Sequence, residues 1–176
     1  MNSLPANKEL KGETCMSPRM VLQKKTAHCA EGALLAAAIF MYHGRKPYLL
    51  DLRSTKHDQD HVVALFKENG HWGAVSKTNH AVLRFREPVY RTVRELAMSY
   101  FHEYFLDNGH KTLREFSRPF NLAAYDESWI TADFDLWSIM DDLDASPHFP
   151  IVSLPMLKKL RRADKIEIQA GLIKEW

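Results

Sequence analysis

The chain has 176 residues, of which 45% are apolar and 11% aromatic, with 24 lysines and arginines against 22 aspartates and glutamates. That composition is globular and large enough for one domain with a buried core, and its near-balanced charge argues against a dominant nucleic-acid or membrane-surface role. Two cysteines, Cys15 and Cys29, are too few for a disulfide framework, and the first residues lack a charged-then-apolar leader, so the expected setting is reduced and cytoplasmic.

Residues 1–17 mix Asn, Ser, Pro, Lys and Gly and predict an irregular lead-in, followed by one domain over 18–176. A short helical or irregular piece covers 18–25. A helix then runs from Thr26 or His28 to Tyr42 and stops at His43-Gly44. Its apolar run, residues 33–42, is about half the ~20 residues a bilayer span requires. Residues 47–52 read as a strand and 54–59 as a loop. Residues 60–67 and 71–78 flank Asn69-Gly70, the dipeptide of a two-residue type I′ turn, and predict a hairpin. Alternation over 81–86 predicts a further strand.

Beyond Pro88 the pattern becomes helical. Apolar residues at helical spacing predict a helix over 92–106, closed by Asn108-Gly109, with shorter helices over 133–143 and 155–163. The aromatic stripe Tyr100, Phe101, Tyr104 and Phe105, with Trp129 and Trp137, reads as packing. Lys158-Lys-Leu-Arg-Arg162 reads as a solvated helix face. The fold class expected is α+β with an antiparallel sheet: a core over about 20–90 and a helical extension over 91–176 that covers or lines the cleft.

Cys29 carries the chemical signal. It stands at the front of an apolar helix, where unpaired backbone N–H groups and the macrodipole favour a thiolate. His61 opens an apolar strand about thirty residues on. A turn at Asn69-Gly70 pairs Glu68 with His71, so Ser76 falls opposite Val63 and Thr78 opposite His61. Ser76 is then a diagonal neighbour of His61 on one face, able to bond its far ring nitrogen and fix the tautomer.

This order resembles the transglutaminase-like branch of the papain-like thiol enzymes. The resemblance covers residues 20–80 and rests on Cys29-Ala-Glu31-Gly, on Asp60-His61-Val, and on Trp72 four residues before position 76. It implies a papain-like core with Cys29 as nucleophile and His61 as base. The family carries Asp where this chain has Ser76, a hydroxyl that brings no charge to stabilise an imidazolium. Asn79 is a second candidate orienter, since related thiol proteases use Asn; on a regular strand it points away from His61. Gln23, six positions before Cys29, matches the oxyanion-stabilising Gln of papain-like proteases, against the plain reading of a surface glutamine. Glu31 reads as a first-turn acid favoured by the dipole.

The function expected is a thiol-dependent hydrolase or acyl transferase acting on an amide bond of a peptide, protein or small molecule, with no cofactor, no metal and no nucleic-acid or membrane partner. Two alternatives stand beside it. One is a catalytically weak or inactive binding module on the same fold, favoured by Ser76. The other is a metal-binding protein built on His57-Asp-Gln-Asp-His61, with His71, His80 and Cys29 completing the ligands. Cys15 has no comparable setting.

Overall fold

The computed structural model describes residues 1, 3–10 and 12–175; positions 2, 11 and 176 of the lead-in and the extension lie outside them. Among the described residues the elements follow in the order α1 (Pro18–Lys24), α2 (Cys29–Tyr42), β1 (Tyr48–Arg53), β2 (His61–Glu68), β3 (His71–Val75), β4 (Arg86–Tyr90), α3 (Val93–Tyr100), β5 (Glu115–Ser117), β6 (Phe120–Asn121), α4 (Trp137–Ala145), β7 (His148–Pro150), α5 (Leu154–Leu157) and α6 (Lys165–Gly171). Seven strands form one antiparallel sheet in the order β4-β3-β2-β1-β5-β7, with β6 also paired to β1. No helix among the described residues is long and apolar enough to cross a membrane.

The sheet is covered on both faces. Leu49, Val62 and Ala64 pack against α2, while Leu50, Leu52, Val63 and Leu65 pack against α3 and Ile151. Burial from both sides explains why β2 reads as an unbroken apolar run, buried from His61 to Phe66. The hairpin register follows from its turn: Glu68 faces His71 and Ala64 faces Val75, with Asn69 and Gly70 both at positive φ, 48° and 81°. β3 ends at Val75, so the expected pairs Ser76–Val63 and Thr78–His61 do not form and Ser76 meets His61 from beyond the ladder. β4 is an edge strand, where Pro88 removes no ladder bond that the sheet needs.

Several predicted elements differ. The alternation at 81–86 does not make a strand. Leu83 turns into the left-handed region at φ 61°, and the neighbouring backbone bonds residues 173–175 instead, Ala81 N–H to Ile173 and Glu175 N–H to Asn79. The helix from 92 ends at Tyr100 with one 3-10 turn, Phe101–Glu103, because Tyr104 becomes extended and returns to bond Thr112. The helix at 155–163 is a single turn, Leu154–Leu157, and α6 follows it, capped by Asp164 and Glu167. The helix expected from 133 begins at Trp137, since Asp135 and Leu136 are engaged by Cys15: Cys15 N–H donates to Asp135 Oδ1 at 3.0 Å, and Leu136 N–H donates to Cys15 O at 2.7 Å.

The lead-in is irregular but held. Ala6 and Ala27 pair as a single parallel bridge step, with Ala27 N–H donating to Pro5 O and Asn7 N–H to Ala27 O, and Ser17 Oγ caps α1 while donating to Ala132 O at 2.6 Å. At the other end of the site, α2 and the segment after β3 meet at Gly32. A Cβ added there would lie 2.3 Å from Lys77 Cβ, so only glycine permits the approach that brings residues 76–77 beside the start of α2. Gly32→Ala gains up to about 1 kcal/mol of helix propensity but must displace main chain, an overpacking cost of about 1–3 kcal/mol. We expect net destabilisation, read as a lower urea midpoint with an unchanged m-value.

Candidate active site

α2 starts at Cys29, so the Cys29 N–H has no acceptor within the helix and the thiol sits at the positive end of the dipole. The preceding residue, His28, is the N-cap. Its Nδ1 accepts the Ala30 N–H at 3.2 Å, and its Nε2 lies 2.8 Å from Thr14 O. Glu31 completes a capping box by accepting the His28 N–H at 2.9 Å. It does more than that. Fully buried, it also accepts from Asn7 Nδ2, from Thr14 Oγ1 at 2.7 Å and from the Met16 N–H at 3.0 Å. The first-turn acid therefore fastens the lead-in across the start of α2.

His61, buried at the first position of β2, reaches the same place from the sheet. Its approach is fixed from behind: Tyr104 O–H donates to Gln59 O, and Thr112 Oγ1 donates to Asp58 Oδ2 at 2.5 Å. The His61 ring and the Cys29 thiol line the same cleft and act on one another. Its Nε2 lies 2.7 Å from Ser76 Oγ, which leaves Nδ1 for the thiol. Burial works against a Cys29 thiolate, but the hydrogen bonds and charges of His28 and His61 outweigh it and hold the thiol well below its ordinary range.

The two imidazoles have different parts. Burial opposes a charged His28, yet the hydrogen bond and charge of the Cys29 thiolate, with Glu31 behind, push it up to about 9. A proton on Nδ1 would expel the Ala30 N–H. With the proton on sulfur, His28 is a neutral helix cap; once the thiolate forms, the same nitrogen is asked to carry charge. His61 has no such capping duty, and its Nε2 is bonded to Ser76 instead.

Cys29 and His61 open into a cleft of about 370 Å3, walled by Asn7 and Glu9 from the lead-in, Asp58 and Asp60 before β2, residues 77–80 with Val82 and Leu83, Tyr104 and Phe105, and Ile168 of α6. Asn79 lies on this wall, but the bond to the His61 ring comes from Ser76. Gln23 is elsewhere. It is exposed in a groove between α1 and the outer side of α2, beside Leu22, Ile39 and Tyr42, and does not line the cleft. Cys15 is buried, and desolvation pushes its thiol up to about 12, so it remains a core thiol. Trp137 is half-exposed, whereas Tyr100, Phe101, Tyr104 and Trp129 are buried.

Among the described residues, the cluster with metal-ligand spacing is Asp51, Asp60 and Asp144, and His57, His61, His71, His80 and Cys29 do not gather around it. Arg53 already supplies its positive charge, 2.5 Å from Asp144 and 4.0 Å from Asp51, and His148 Nε2 lies 3.0 Å from Asp51. Sequence reasoning passed over His28, Leu83, Glu103 and Tyr104. His28 was readable as an N-cap one residue before the thiol; the others act through tertiary contacts. No protein-family model matches the sequence, and comparison with curated proteins finds no match.

Burial pushes the Asp51 carboxyl up to about 6, with the His148 hydrogen bond opposing and the Asp60 charge assisting. The folded protein therefore holds more protons here than the unfolded chain, so this group lowers stability as pH rises from about 4 to 6. Asp51→Asn keeps the His148 bond and removes the buried charge. Its melting temperature should exceed that of the parent at pH 8, and the gain should vanish near pH 4.

Proposed function

We propose that the protein is a thiol-dependent hydrolase or acyl transferase of transglutaminase-like type, acting on an amide carbonyl of a peptide or small molecule. The observation that carries this reading is the convergence on Cys29 of a helix N-terminus and the His61 ring, whose far nitrogen is held by Ser76. In the reaction Cys29 attacks the carbonyl carbon, and His61 takes up the thiol proton and delivers it to the leaving amine as the C–N bond breaks. The Cys29 N–H, free of intrahelical bonding, is placed to steady the oxyanion. Water, or a second amine, then attacks the thioester with His61 as base and regenerates the thiol. Carboxylates outnumber lysines along the cleft, Glu9, Asp58, Asp60, Glu103 and Asp107 against Lys8 and Lys77, which disfavours an acidic substrate.

A binding module on the same fold is the second reading. The observation favouring it is the neutral hydroxyl at position 76, which stabilises an imidazolium less than a carboxylate would.

Thiol reactivity separates the two. Iodoacetamide should alkylate Cys29 at pH 6 at least about tenfold faster than a free thiol of pKa ~8.5, and His61→Ala should remove most of that advantage, followed by mass spectrometry of the Cys29 peptide. Rates equal to a free thiol, and unmoved by His61→Ala, would leave a binding module.

A further inference from the structure

Ser76 poses a chemical question that an aspartate would not. A hydroxyl can accept a proton from His61 Nε2 or donate one to it. If it donated, the ring proton would sit on Nδ1, and the nitrogen left for Cys29 would have no lone pair. Something must choose between the two.

The choice is made by a carbonyl. Ser76 Oγ lies 2.5 Å from Leu83 O, and a carbonyl oxygen only accepts. The hydroxyl proton therefore goes to Leu83, and Oγ turns a lone pair to Nε2–H at 2.7 Å.

Leu83 presents that carbonyl from a backbone conformation that a bulky residue rarely adopts, φ 61°. Such a conformation persists only where its surroundings hold it. On one side the Leu83 side chain packs into the cluster around Tyr100 and Tyr104. On the other, the Leu83 N–H donates to Glu103 Oε2 at 2.8 Å. That carboxylate oxygen is itself fixed by Arg86 Nη2 at 2.6 Å, and Arg86 is anchored by Ser99 and lies 4.1 Å over the Tyr100 ring.

We propose that Glu103 is a positioning residue for His61. Acting through the left-handed residue Leu83 and the Ser76 hydroxyl, it sets the ring tautomer that leaves Nδ1 as the base for Cys29. Glu103 lines the cleft, yet its part in this relay requires no contact with substrate. The catalytic consequence rests on the thiol-enzyme reading; the tautomer itself does not.

The test reads the tautomer directly, by 15N–1H NMR of the His61 ring in the full chain, with His61→Gln identifying its signals. Measured at a pH where the ring is neutral, the parent should show the Nε2–H form. Glu103→Ala should give a mixture of tautomers, and Cys29 alkylation at pH 6 should slow about tenfold while converging with the parent near pH 9. Glu103→Gln, whose amide oxygen still accepts the Leu83 N–H, should keep the parent tautomer. If Glu103→Ala fails to fold, Glu103→Met keeps the bulk without the acceptor and carries the same expectation. A His61 tautomer unchanged in the folded acceptor-less variant, whatever its melting temperature, would overturn the proposal. An unreactive parent Cys29 with a tautomer that still responds to Glu103 removes the enzyme reading and leaves the positioning role standing.

Discussion

A carboxylate wholly withdrawn from water is the interaction on which the rest of this site depends. An ionised carboxylate in that position is tolerable only if its oxygens are saturated with donors. Glu31 meets the condition with donors from Asn7, Thr14, Met16 and His28, and each of them belongs to the chain just before α2. Satisfying one buried charge therefore gathers the lead-in, the cap and the first turn of α2 into a single rigid corner. The cleft wall formed by Asn7 and Glu9 exists because of it. So does the capping geometry of His28, whose ring spans Thr14 and Ala30.

The other half of the site is fixed by a different kind of constraint, the steric one at Gly32. Helix α2 and the segment leaving β3 approach to a distance that a single methyl group would forbid. Ser76 sits one residue before the point of contact. Cys29 and His61 are thus held by two independent devices, polar on the lead-in side and steric on the sheet side, which meet at one helix start. A hydroxyl orienter suits this arrangement because its direction is imposed by a neighbouring main-chain group and not by its own charge.

Much of this was readable from residue order. Asn69-Gly70 fixed the hairpin, hence its register, hence Ser76 beside His61. Pro88 was compatible with an edge strand once the sheet order was known. The reading of 81–86 as a strand failed because alternation says nothing about a left-handed residue, and Leu gives no warning of one as Gly or Asn would. Strands β5, β6 and β7 are two or three residues long and exist by pairing with β1 or with one another, so their sequences carry no period to detect. Helix α6 did have a signal, Asp164 followed by Glu167, that marks a capping box. Gln23 shows the limit of spacing alone: α1 is a short helix of its own, and its last turn carries the amide away from the cleft.

The bonds that tie Cys15 and Ser17 to Asp135, Leu136 and Ala132 join parts of the chain separated by more than a hundred positions. Contacts of that separation form late, because a long loop must close before they repay its lost freedom. The hairpin that carries His61 is local and forms in microseconds once its turn is made. Sealing the lead-in onto residues 132–136 is therefore the costliest loop closure at this corner, while Cys29 and His61 are joined across a much shorter stretch of chain.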